Sequence, residues 1–248
     1  MRTFCMLLVN NNRSKAYLQC LLSERLFPEH VLLLDNQGRR LAEHTLNDII
    51  TMNQTKQSFL RFCPITGLCF DEKESVTSTL VKSNISFDVL STIDPNNDEV
   101  VDAVKRLPAD DCIYSGAGGT ILKQNIFRTG KRLIHAHPGI VPKYRGSTTI
   151  YYSLLLENKI GVTLMSMNEK LDEGDVLLQK EYDYVTGGDL DYVIDPCVRA
   201  HTLIEWLKTD GESCSQTNDG NVFYIIHPLL KHLAILKSHR VDKRSTAC

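Results

Sequence analysis

The sequence predicts an α/β fold: a mostly parallel, twisted sheet with helices on both faces, followed by a small C-terminal extension. Three observations carry that expectation. Thr3 to Val9 is a continuous apolar run, the pattern of a parallel strand covered on both faces. Helical and strand patterns then alternate along the chain, the order that winds a parallel sheet. Gly116, Ala117, Gly118 and Gly119 follow directly on the apolar segment Asp111 to Ser115, placing a glycine-rich turn at the carboxyl end of a strand, where open sheets hold their ligands.

Each element has a local reason. After Thr3 to Val9, residues Asn10 to Arg13 supply turn and cap groups for a helix through Ala16 to Leu26, and Pro28 leads into a second strand, His30 to Leu34. The first turn reads NNNRS, without the glycines of a dinucleotide fingerprint, which excludes that phosphate site. Asn36, Gln37 and Gly38 mark a turn, Leu46 to Phe62 reads as helix, and Pro64 to Phe70 as irregular chain. Lys73 to Ser83 predicts a helix, Ile85 to Val89 a strand, Asn97 to Arg106 a helix and Asp111 to Ser115 a buried strand. No Gly-Lys-Ser/Thr follows the glycine cluster, so it is not a P-loop. Thr186 to Asp189 caps a helix through about Lys208, residues 209–221 read as a polar linker, Val222 to Ile226 as a strand and Leu229 to Leu236 as a short helix. The expected division is one catalytic domain over 1–208 and a short extension, 209–248, packed on it.

Composition narrows the function classes. The chain has 248 residues, enough for a sizeable core, and a net charge of -2 with pI near 6.4, which lacks the basic footprint of a nucleic-acid binder. Eight cysteines include no CxxC pair, so the expectation is reduced thiols rather than a zinc site. The N-terminal apolar run is too short for a signal peptide, and no segment approaches membrane-spanning length. The expectation is a soluble, cytoplasmic protein with no nucleic-acid or membrane partner, and a homo-oligomer is compatible with the composition.

The residues that carry chemistry lie between 132 and 180. The run Arg132 to Ile134 ends on His135 and His137, whose spacing puts both imidazoles on one side of an extended chain. Pro138 and Gly139 end the ladder, and Pro142 stiffens a loop that closes on Lys143, Tyr144, Arg145 and Gly146. Further on, Leu171, Asp172, Glu173, Gly174 and Asp175 form an acidic turn that brings a carboxylate to the imidazoles.

The order His-Pro-Gly, two apolar residues, Pro, basic, aromatic, Arg-Gly and then a distant Leu-Asp-x-Gly-Asp resembles the folate-dependent formyltransferases, with sugar N-formyltransferases and methionyl-tRNA formyltransferase nearest in pattern. The motif match covers residues 85–200 best. The resemblance implies a Rossmann-like core of the formyltransferase type and N10-formyltetrahydrofolate as formyl donor, with no metal. It implies His137 and Asp172 as catalytic residues, with His135 standing where the family has Asn. His137 would stabilise the developing oxyanion, Asp172 would hold His137 and raise its pKa, and His135 would offer a second N–H. By the same resemblance, Gly118, Gly119, Thr120, Ile121, Leu122 and Leu171 would line the pterin pocket, while Lys143, Tyr144, Arg145, Gly146 and Tyr151 would meet the acceptor. Glu173 and Asp175 are read as structural. Residues 209–248 offer no room for the C-terminal barrel of the tRNA-formylating branch, and the run YRGSTTIYY is closer to the sugar branch. The implied acceptor is therefore a small-molecule amine, sugar-linked and carried on a nucleotide. A formyltetrahydrofolate hydrolase and a non-catalytic relative are the alternative readings.

Overall fold

A computed structural model describes residues 2–36, 59–185, 188–209, 211, 213–216 and 220–245. The chain divides into two compact units, one of residues 1–61 and 69–135, the other of residues 62–68 and 136–248.

In the first unit, β1 (Cys5–Val9) is central because every one of its side chains is buried. It pairs in parallel with β2 (Val31–Leu34) on one side, Met6 opposite Val31, and with β6 (Asp111–Ser115) on the other, Cys5 opposite Cys112. The parallel ladder continues from β2 to β5 (Phe87–Leu90) and from β6 to β7 (Arg132–His137), giving the order β7-β6-β1-β2-β5. Strands β1 and β2, buried along their whole length, are apolar throughout. Asp111 fixes the start of β7 by a two-point pair with Arg132, Nε to Oδ1 at 2.6 Å and Nη2 to Oδ2 at 2.7 Å.

Three helices of this unit are capped by their own sequence. Asn11 accepts from the Ser14 amide to start α1 (Asn12–Ser23), Ser75 from Ser78 to start α2 (Val76–Lys82), and Asn97 from Glu99 to start α3 (Asp98–Lys105). Helix α1 begins four residues before the expected start, because Asn11 is already the cap. A short α4 (Gln124–Phe127) precedes β7. The stretch read as helix from Leu46 ends instead in strand β3 (Leu60–Phe62), and the segment read as irregular ends in strand β4 (Cys69–Asp71), β3's neighbour in a two-stranded sheet. The rest of that helix reading, with Gln37 and Gly38, lies outside the described residues.

In the second unit, β9 (Lys159–Ser166) pairs antiparallel with β10 (Asp175–Asp183), and the order is β10-β9-β7. An antiparallel edge on a parallel sheet is a common arrangement. Strand β8 (Tyr144–Gly146) pairs in parallel with β11 (Asn221–Phe223), shorter than the strand expected to reach Ile226. Helix α5 (Thr149–Glu157) follows β8. One π-helical turn, Leu190–Ile194, capped by Asp189, opens into α6 (Asp195–Lys208), with Pro196 in its first turn. Helix α7 (Pro228–Ser245) runs well past the expected Leu236. Trp206, 1% exposed, and Leu203 anchor α6 in the core. The described cysteines carry free thiols, and in this unit a hydrogen bond with Cys197 is the main cause holding the buried Cys63 thiol down to about 6.

Candidate active site

Strand β7 ends on His137, which is 1% exposed and held from both ring nitrogens. Its Nε2 lies 2.7 Å from the Tyr144 carbonyl oxygen. A carbonyl only accepts, so Nε2 carries a proton and donates it there. The Thr149 hydroxyl, which donates to the Pro138 carbonyl at 2.7 Å, stands 3.4 Å from the same nitrogen. Nδ1 faces Asp172 Oδ1 at 3.5 Å. Behind the strand, Arg199 donates from Nη1 to the Ala136 carbonyl at 2.9 Å and is paired with Asp195. Gly139 is required beside the ring, because a Cβ there would stand 2.8 Å from the Tyr144 carbonyl oxygen.

Asp172 comes from the turn between β9 and β10, at φ 53. Its Oδ2 accepts from the Gly146 amide at 2.7 Å. His137 and Asp172, 35 positions apart in sequence, thus form one pair, the imidazole buried and the half-buried carboxylate oriented by a backbone N–H.

Burial pushes the His137 pKa below the usual imidazole range, although Asp172 and the Tyr144 carbonyl pull it upward. Asp172 does act in the expected upward direction, and desolvation of the cation, which the sequence did not show, is the larger effect. In its neutral form the ring is protonated at Nε2 and turns Nδ1 toward Asp172.

The loop expected to meet an acceptor is largely turned inward. Lys143 is exposed but paired with Glu157. Tyr144 is 2% exposed and stacks on Phe223, ring centroids 5.5 Å apart. Arg145 is 4% exposed, with Nη1 donating to Glu173 at 3.0 Å and Nη2 to the Gly220 carbonyl at 2.9 Å. Gly146 spends its N–H on Asp172. Tyr151 is buried, its hydroxyl donating to Asp191, and burial and Asp191 together push the phenol above the usual tyrosine range. Both Arg145 Nη atoms and the Tyr151 hydroxyl are thus directed at internal partners.

In the first unit, a cavity of about 560 Å³ opens at the carboxyl ends of β1 and β2, lined by Val9, Asn10, Leu34, Asp35, Ala117 and Gly118 among others. From β1 the chain builds outward to β2 and β5 on one side and then crosses back to β6 on the other, and such a switch point is where open α/β sheets bind ligands. Arg13 donates to the Gly116 carbonyl at 2.5 Å and to Ser115 Oγ at 3.1 Å, fixing the base of the glycine turn. Gly118 has nothing within 4 Å of where a Cβ would stand, and the cavity volume is in the range of small-molecule sites. Gly119, at φ 77, and Thr120 turn the loop away. Ile121 is 75% exposed, whereas Leu122 is buried and belongs to the packing of its unit. His135, half-buried, is the last residue of this unit, and Leu171 is an exposed residue of the other. Thr149 and Arg199 escaped sequence reading. An Asp195–Arg199 pair at helical spacing was the available signal.

A family model described as formyl transferase matches residues 65–194. The methionyl-tRNA formyltransferase of Ehrlichia canis is 42% identical over 73 residues, 29% of this chain and 24% of that protein. The chain spans less than half the length of the curated relatives it matches. Among solved structures, a sugar N-formyltransferase from a Shewanella species has a TM-score of 0.53 at 14% identity, covering 95% of this chain and 87% of that one. An N-formyltransferase from Helicobacter canadensis, in complex with folinic acid and dTDP-3-aminofucose, has a TM-score of 0.55 at 15% identity, covering 96% and 81%. These two likenesses bear on the fold.

Proposed function

The chain belongs to the formyl transferase family, and from that premise we propose that it moves a formyl group from N10-formyltetrahydrofolate to the amino group of a nucleotide-linked amino sugar. The observation that carries this reading is the pairing of buried His137 with Asp172, which is held by the Gly146 amide. The dTDP-3-aminofucose held by the Helicobacter protein supports a sugar-linked acceptor. So does the net charge of -2, which gives no electrostatic footing for tRNA.

The donor supplies an electrophilic formyl carbon, whose oxygen gains negative charge as the amine adds and whose bond to N10 breaks as the new amide forms. The attacking nitrogen sheds a proton, and the leaving nitrogen must receive one. Asp172 and His137 handle that proton. Nδ1, which faces Asp172, is the nitrogen through which the pair would take the proton, and the imidazolium so formed has both N–H groups aimed at acceptors, Nε2 at the Tyr144 carbonyl and Nδ1 at Asp172. The depressed pKa of His137 lets the pair release the proton again to the departing nitrogen. This departs from the oxyanion role first expected of His137, because its one resting N–H is held by Tyr144. The N–H toward the formyl oxygen falls to His135, two residues earlier in β7. Gly118 and its loop would hold the donor. Residual recognition of the acceptor falls on backbone and on Lys143, the exposed charge of its loop.

Tetrahydrofolate release tests this reading. With N10-formyltetrahydrofolate and a panel of nucleotide-linked amino sugars, turnover should require the amine. Formate release without an amine would identify a hydrolase instead, and donor binding with no turnover on any amine would identify a non-catalytic relative.

A further inference from the structure

The turn that carries Asp172 is clamped from outside by a second pair of side chains. Arg145 immediately precedes the Gly146 amide that binds Asp172, and Glu173 immediately follows Asp172. Two links therefore join the same two backbone segments side by side: Gly146 N–H to the Asp172 carboxylate at 2.7 Å, and Arg145 Nη1 to Glu173 Oε1 at 3.0 Å. The guanidinium end of this ion pair is buried, Arg145 being 4% exposed, while the half-buried Glu173 also faces Lys170 Nζ at 3.6 Å. The same guanidinium reaches a third segment through the Gly220 carbonyl, at the start of β11. Asn168 closes the turn internally by donating from Nδ2 to the Glu173 carbonyl at 3.2 Å. Asp172 itself occupies left-handed backbone at φ 53, a conformation that a non-glycine residue keeps where its surroundings fix it.

We infer that Arg145 and Glu173 are positioning residues that set the distance between Asp172 and His137, an inference that rests on the reading of those two as the proton-handling pair. The distance is the sensitive quantity. At 3.5 Å, Nδ1 and Oδ1 stand beyond the roughly 2.8 Å of a charge-assisted hydrogen bond, so a movement of the turn by less than 1 Å decides whether a proton passes between them. The effect of Arg145 and Glu173 runs through the backbone of residues 172–173 and 145–146. A glutamate at this place in the Leu-Asp-x-Gly-Asp turn is thus coupled to an arginine 28 positions earlier.

The test compares Glu173→Ala with Glu173→Gln in the full chain. Glutamine loses the charge but keeps an oxygen for Arg145 Nη1, whereas alanine releases the turn. Glu173→Ala should lower kcat roughly 10- to 100-fold, with KM for the formyl donor and for the amine within about twofold of wild type. Glu173→Gln should stay within about threefold in kcat. The second readout is the His137 imidazole titration followed by NMR without any substrate. Its midpoint should move to lower pH in Glu173→Ala, as the carboxylate that favours the cation withdraws, and should stay in place in Glu173→Gln. That readout is independent of transfer: if no amine were formylated and Glu173→Ala alone still moved the titration, the positioning would stand and the proposed reaction would fall. Equal behaviour of the alanine and glutamine variants in both readouts would overturn the inference. So would a loss in Glu173→Ala expressed only in KM for the amine, which would make Glu173 an acceptor contact.

Discussion

Replacing Asp172 by Asn separates the charge of this residue from its shape. The Asn carbonyl can still accept from the Gly146 amide, which reaches Asp172 Oδ2 at 2.7 Å, and the Asn Nδ2 can then donate to the bare Nδ1 of neutral His137. Both contacts survive, so stability should change by no more than about 1 kcal/mol, or roughly 2–4 °C in Tm for a chain of this size. The His137 cation, however, loses its counter-charge. At 3.5 Å and an effective dielectric near 20, that attraction is worth about 5 kcal/mol, and the Asn donor opposes protonation further. The His137 titration should therefore move still lower. Turnover should drop by roughly 10²- to 10⁴-fold, the range for a lost general base, which corresponds to about 3–5 kcal/mol of barrier. Initial rates with a confirmed acceptor, a thermal melt and an NMR titration of the imidazole give the three numbers. Wild-type-like turnover, or a His137 titration that rises, would refute the reasoning.

Three further outcomes are expected. Gly118→Val introduces a side chain into open space on the cavity wall, so the variant should fold and yet bind the folate donor about tenfold or more weakly by calorimetry. His135→Asn should keep or raise formyl transfer and flatten the acidic limb of the rate profile, while His135→Ala should lose activity by about tenfold or more, because only the first substitution retains an N–H donor. The third concerns stability: His137 has a lower pKa in the fold than its unfolded value near 6.5, so the folded chain binds the proton less tightly. The stability it contributes is present above about pH 6.5 and is lost as pH falls toward the folded value. The Tm of wild type should therefore decline more steeply than that of His137→Gln between pH 7 and pH 5, in parallel melts.

The sheet was legible where burial leaves no choice. Asp111 to Ser115 is a strand with the residues expected, and β1 and β2 differ from expectation only at their first residues, because each carries a buried, continuous apolar run through its middle. Leu60–Phe62 escaped notice because a short strand exposed along its length carries no apolar pattern. Helix α7 was cut short because the segment beyond Leu236, KSHRVDKRS, is polar and supplies no apolar face to read.

The site divides along similar lines. His137 and Asp172 stood out by residue type and order. The inward turn of Arg145 and Tyr151 did not, because a basic or aromatic residue on a loop has the same sequence signature whether it faces solvent or an internal carboxylate. Glu173 and Asp191, the partners that decide the matter, lie 28 and 40 positions away. The pKa of His137 was misjudged for a related reason: the neighbouring carboxylate is visible as a motif, whereas the burial that outweighs it is a property of the folded chain.

The central claim is transfer of the formyl carbon to an amine, and an isotope trace tests it most directly. The donor would carry ¹³C in the formyl group, and the products with a nucleotide-linked amino sugar would be followed by NMR. The account predicts that the label appears as the carbonyl of a new amide in equal amount to the tetrahydrofolate formed, in wild type and not in Asp172→Asn. Label that remained on the folate, or that appeared as formate with and without the amine alike, would contradict it.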